Sequence, residues 1–112
     1  MGTETLPKIP AKVQALLDLA ARLEMQVEFK ADDRPSSYST VHTWTIKSGK
    51  AHDPDCLWIY WTPGANGGRV RLVAYRPYAR REPRRVTYQT YRSFRRWMRL
   101  LSPLPLREAD AR

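Results

Sequence analysis

A chain of 112 residues, 42% apolar with twelve aromatics, can build one small domain with a core and is too apolar for a disordered segment. Its formal net charge is +9, from 20 Lys and Arg against 11 Asp and Glu, which points to polyanions as partners. A single cysteine, Cys56, excludes an internal disulfide framework, and no apolar run reaches the roughly 20 residues of a membrane span. The opening residues also lack the basic and apolar regions of a secretory signal, so the expectation is a soluble cytoplasmic protein.

Residues 1–9 read as a tail. Pro10 can open a helix, because its fixed φ suits the first turn and its missing N–H is not needed there. Val13, Leu16, Leu17, Ala20 and Leu23 follow at the spacing of one buried helix face, which predicts a helix ending near Glu24. The period then becomes two. Met25, Val27 and Phe29 alternate with Gln26, Glu28 and Lys30, the pattern of a half-buried strand. Residues 32–37, with Pro35 among polar residues, read as a turn, and residues 38–47 as a second strand.

Residues 48–55 carry Gly49 and Pro54 and read as a loop. The run Leu57, Trp58, Ile59, Tyr60, Trp61 is the strongest strand signal in the chain. Residues 63–68 form a Pro- and Gly-rich turn, and residues 69–76 return as the partner strand of a hairpin. Leu57, Ile59 and Trp61 share one side of their strand, and Val70, Leu72 and Ala74 share one side of theirs. The other sides offer Trp58 and Tyr60 on the first strand, and Arg69, Arg71, Val73 and Tyr75 on the second.

Residues 77–85 are an arginine- and proline-rich connector. Val86, Thr87 and Tyr88 fit either a short extra strand or the entry to a helix. From about residue 89 to 101, Tyr91, Phe94, Trp97, Met98 and Leu101 fall on one arc at about 100° per residue, and Arg92, Arg95, Arg96 and Arg99 fall on the opposite arc. Ser102 and Pro103 stop that helix, leaving residues 103–112 as a tail. The expected fold is therefore α+β, with residues 10–102 as one domain. An N-terminal helix, a three- to four-stranded antiparallel sheet and a C-terminal basic helix follow in order. Both helices lie on one sheet face, since each has one apolar side to hide.

The charge is lopsided. Residues 1–68 hold seven bases and eight acids, whereas residues 69–112 hold thirteen arginines and three acids. Four arginines on one helical stripe can follow a phosphate backbone, with affinity driven by counterion release. Arg80, Arg81, Arg84 and Arg85 would extend that track, and Arg69 and Arg71 would join it from the hairpin. Trp58, Tyr60, Tyr75 and Tyr88 are candidates for stacking on bases of a single strand. These residues lead to a small, non-enzymatic DNA- or RNA-binding protein, regulatory or accessory in the manner of phage and plasmid proteins. The rival reading is an interaction module docking on an acidic protein surface, where Arg and Trp serve as hot spots. The alternative for Trp58 and Tyr60 is packing under a loop or in a homodimer interface, since strands favour large aromatics in any case.

Enzyme chemistry has weaker signals. His52, Asp53, Asp55 and Cys56 crowd into five residues, but one Cys and two His in the whole chain do not make a closed zinc site, and a loop whose Asp and Pro build turns explains them. No phosphate-binding loop or nucleophile elbow is present, so neither a catalytic residue, a metal nor a cofactor is assigned. A metal-dependent nuclease using Asp32 and Asp33, with Glu28 upstream, is the leading enzymatic alternative. The order of helix, strands and basic helix is similar to that of the double-stranded-RNA-binding domain. The likeness is one of topology, since the Lys-rich run of that module's last helix is missing, and it implies no residue roles.

Overall fold

The computed structural model describes residues 8–32, 40–78 and 85–112. Helix α1 (Ala11–Arg22) leads into strands β1 (Gln26–Asp32), β2 (Val41–Lys47), β3 (Cys56–Thr62), β4 (Arg69–Tyr75) and β5 (Val86–Gln89). Helices α2 (Tyr91–Leu101) and α3 (Leu106–Ala111) close the chain. The five strands form one antiparallel sheet in the order β1-β2-β3-β4-β5. Each strand pairs with its neighbour in sequence, the simplest way to satisfy backbone donors and acceptors with short connections.

The fold class expected from the sequence holds, but the strand number does not: five replace three to four. Residues 86–89 form β5 because their backbone pairs with the second half of β4, with Val73 opposite Tyr88 and Leu72 opposite Gln89. This moves the start of α2 to Tyr91. The start is set by a reciprocal cap in which the Thr90 hydroxyl accepts from the Ser93 amide at 3.0 Å and the Ser93 hydroxyl accepts from the Thr90 amide at 2.9 Å. The pattern is a capping box with Ser in place of the usual Glu or Gln.

Residues 103–112, expected as a tail, turn into α3, whose Ala109 is fully buried in the core. Small Ala lets this short helix approach closely. At the other end, Ile9 of the expected N-terminal tail packs against the core, while residues 1–7 lie outside the described residues. The expected turn after β1 also lies mostly outside them.

The core is one continuous cluster. Val13, Leu16, Leu19, Ala20 and Leu23 of the first helical segment and Phe94, Met98 and Leu101 of α2 meet Trp44, Ile46, Leu57, Ile59, Trp61, Leu72 and Ala74 of the sheet. Period two places all these strand residues on one face, so α1 and α2 cover the same side of the sheet, as expected. The cover does not reach the β1 edge. Phe29 shares the core-side face and still leaves 56% of its surface exposed. It stacks on His42 at 5.8 Å and tilts against Trp44 at 5.2 Å. His42 in turn lies 5.0 Å from Trp61.

Two local devices hold the layers in place. Trp61 Nε1 donates to the Gly67 carbonyl at 2.8 Å, fastening the 63–68 turn over β3. Gly68 closes that turn with φ +81°, and a Cβ there would strike the Thr62 carbonyl oxygen.

Candidate nucleic-acid interface

Arg92, Arg95, Arg96 and Arg99 line one side of α2, with Phe94, Met98 and Leu101 buried on the other. The helix therefore turns its cations away from the sheet. With Leu100, Leu106 and Asp110 they surround an open groove of about 570 Å³ between α2 and α3. Among the described residues, ion pairs join Lys47 to Glu28, Arg76 to Asp55 and Arg112 to Glu108, and none involves the four arginines of α2. An unpaired guanidinium keeps its full charge and all five donors for a ligand.

Arg69 and Arg71 do not join this stripe. Leu72 points into the core against α2, so its neighbour Arg71 points out of the opposite face of the sheet. Arg69 lies on that same face two residues earlier. The expectation of one continuous basic track is corrected to two basic surfaces with the sheet between them. The physical reason is strand alternation: a helix that covers the Leu72 side cannot share a surface with Arg71. Arg85 is exposed just before β5, and its carbonyl accepts from the Arg76 amide at 2.8 Å. Arg80, Arg81 and Arg84 lie outside the described residues.

Arg76, which received no role from the sequence, is committed to the fold. Its Nε donates to Asp55 at 3.4 Å, and its guanidinium sits 4.9 Å from the centre of the Trp97 ring. That pairing joins the 48–55 loop to α2 and removes Arg76 from the free cations.

The sheet face away from the helices carries the four aromatics singled out for stacking. Trp58 and Tyr75 stack with ring centres 4.9 Å apart and planes 16° apart. Tyr60 meets Trp58 edge-on at 6.1 Å. Tyr88 stands on β5, beyond Val73, with 73% of its surface exposed. Trp58, Tyr60 and Tyr88, with Arg69 and Arg71, line a shallow groove of about 530 Å³, and Tyr75 backs it through its stack on Trp58. Burial pushes the Tyr60 hydroxyl above its ordinary pKa, with smaller contributions from Cys56 and Tyr88, so this group stays a neutral donor in the groove.

The loop cluster resolves as turn chemistry. Asp53 Oδ1 accepts from the Asp55 amide at 3.0 Å, and His52 occupies the left-handed region at φ +62°. Among the described residues no three His, Cys, Asp or Glu side chains converge to hold a metal ion. Cys56 is half-buried at the start of β3, and loss of hydration raises its thiol pKa. Among the described residues no helix is long and apolar enough to cross a membrane. Comparison with known protein families, curated proteins and solved structures returns no match for this chain.

Proposed function

We propose that the protein is a non-enzymatic nucleic-acid-binding protein whose α2 arginines contact phosphates. The observation that carries this reading is the set Arg92, Arg95, Arg96 and Arg99, presented together on one helix face and without ion-pair partners among the described residues. Four aligned cations form a strip that fits a phosphate backbone, and neutralising each phosphate releases condensed counterions. Such contacts position the ligand and carry little sequence information. The reading implies affinity that depends strongly on salt and weakly on sequence.

The test is a gel-shift titration of random-sequence duplex across a salt series. Binding should weaken log-linearly with salt. Changing all four arginines to Gln should make the slope shallower by roughly 3–4, about 0.9 per lost phosphate contact. Absence of duplex binding at low salt would overturn the reading.

A second reading draws on the edges of the same groove. Leu106 is 58% exposed beside the arginines, and Leu100 is exposed with it. A surface of arginines flanked by leucines suits an acidic protein segment with an apolar side. A salt-sensitive complex with an acidic helical peptide, without duplex binding, would favour it.

A further inference from the structure

We propose that the sheet face opposite α1 and α2 is a second and separate nucleic-acid site, one that takes unpaired bases. The choice of ligand rests on the nucleic-acid reading above, but the residues are different. They lie on the opposite side of the sheet from α2.

The register explains the shape. Trp58 on β3, Val73 on β4 and Tyr88 on β5 form one row across three strands. Val73 is small and 3% exposed, so it is the floor between two larger rings. Trp58 and Tyr88 are two strand spacings apart, roughly 9.6 Å between backbones. That leaves a slot for a flat group between them. In the next row Arg71 stands opposite Tyr60, and in the row after that Arg69 stands opposite Thr62. The two guanidinium groups therefore leave the same strand on the same face, at a spacing of roughly 6.8 Å along it. Rings beside a pair of aligned cations match a chain of bases with phosphates along one side.

Three features select unpaired bases over other occupants. The stack of Trp58 on Tyr75 is already formed, so little side-chain freedom is lost on binding. Ring faces of this kind need exposed base faces, which a continuous duplex keeps inside its own stack. Among the described residues no carboxylate lines the groove, and neither Arg69 nor Arg71 makes an ion pair. A second copy of the chain laid on this face would set like charges against each other around a two-fold axis, which disfavours a homodimer here.

The test uses the full chain, a ten-residue oligothymidylate, a ten-residue oligouridylate and a blunt duplex. Of the four tryptophans, Trp44 and Trp61 are buried on the core side and Trp97 lies under Arg76, so Trp58 is the reporter for this face. Either oligonucleotide should quench emission, and Trp58→Phe should abolish that quench. Tyr88→Ala should weaken oligonucleotide binding roughly tenfold and Arg71→Ala by a similar factor, while both leave duplex binding intact. Tyr88 is exposed, so its truncation leaves the core unaltered. The Gln variant of the α2 stripe should show the reverse, losing duplex and keeping the oligonucleotide-dependent quench. Oligonucleotide binding with no duplex binding would remove the α2 reading and leave this one standing. Binding lost in the α2 variant but indifferent to Tyr88 and Arg71 would overturn this one and spare the other. Tyr88-dependent dimerisation, or capture of an acidic peptide, without oligonucleotide binding would also overturn it.

Discussion

The Ser102 hydroxyl donates a hydrogen bond of 2.8 Å to the Leu23 carbonyl, tying the end of α2 to the end of α1 across 79 positions of sequence. The same oxygen accepts from the Leu104 amide at 3.1 Å, which sets the turn into α3. Ser102 is buried, so both backbone groups depend on it. Ser102→Ala leaves a carbonyl and an amide without their partner. The expected loss is about 1–3 kcal/mol of stability. In urea denaturation the midpoint should fall with the slope unchanged.

Phe94 is the largest fully buried side chain, at the meeting of α2 with the sheet. Phe94→Ala should cost about 3–5 kcal/mol, from lost transfer energy together with the cavity left behind. The fourfold Gln variant of Arg92, Arg95, Arg96 and Arg99 should keep the wild-type melting temperature to within a few degrees, because those side chains make no ion pair among the described residues and point away from the core. Circular dichroism melts of the two variants separate core from surface directly. Unfolding of the Gln variant would contradict the placement of the stripe.

These two faces of α2 were legible in the sequence because a helix covered on one side writes its burial at a period of 3.6. The β3–β4 hairpin was legible for the same kind of reason, with period two bounded by a Pro- and Gly-rich turn. The five-stranded count was not. β5 has four residues and gains its identity from pairing with β4, a non-local contact that leaves almost no periodic trace. The cap at Thr90 and Ser93 was the missed signal that would have separated β5 from α2. The tail prediction for residues 103–112 failed because Ala109 contributes to the core through smallness, which hydrophobic patterning underweights. The candidate surfaces were half legible. Alternation along β4 gave the faces of Arg71 and Leu72, but their relation to the α2 stripe needed the side of the sheet on which α2 packs.

Cys56 offers a chemical check on the face of β3. Its thiol pKa is raised, chiefly by loss of hydration and further by Asp55 and Asp53, against a partial offset from Lys47. The thiolate is the reactive form, and a raised pKa means less of it at any pH below that value. Alkylation by iodoacetamide at pH 8 should therefore be slower than for a free cysteine, with the rate midpoint displaced to higher pH. Lys47→Ala removes a cation that favours the thiolate and should slow the reaction further.

Glu24 ends α1 in a conformation that suits glycine better. Its φ is +57°, in the left-handed region. The Met25 amide donates to the Ala20 carbonyl at 3.0 Å and the Glu24 amide to the Ala21 carbonyl at 3.1 Å, the paired bonds of a Schellman ending. A residue with a Cβ pays roughly 1–2 kcal/mol for that backbone. Glycine relieves the strain and returns part of the gain as extra entropy of the unfolded chain. Glu24→Gly should therefore raise stability by about 0.5–1 kcal/mol. Glu24→Ala is the control, because it removes the same carboxylate from the C-terminal end of the helix dipole and keeps the strained backbone. A higher urea midpoint for the glycine variant than for the alanine variant isolates the backbone contribution. Equal midpoints would mean that any gain came from the charge alone.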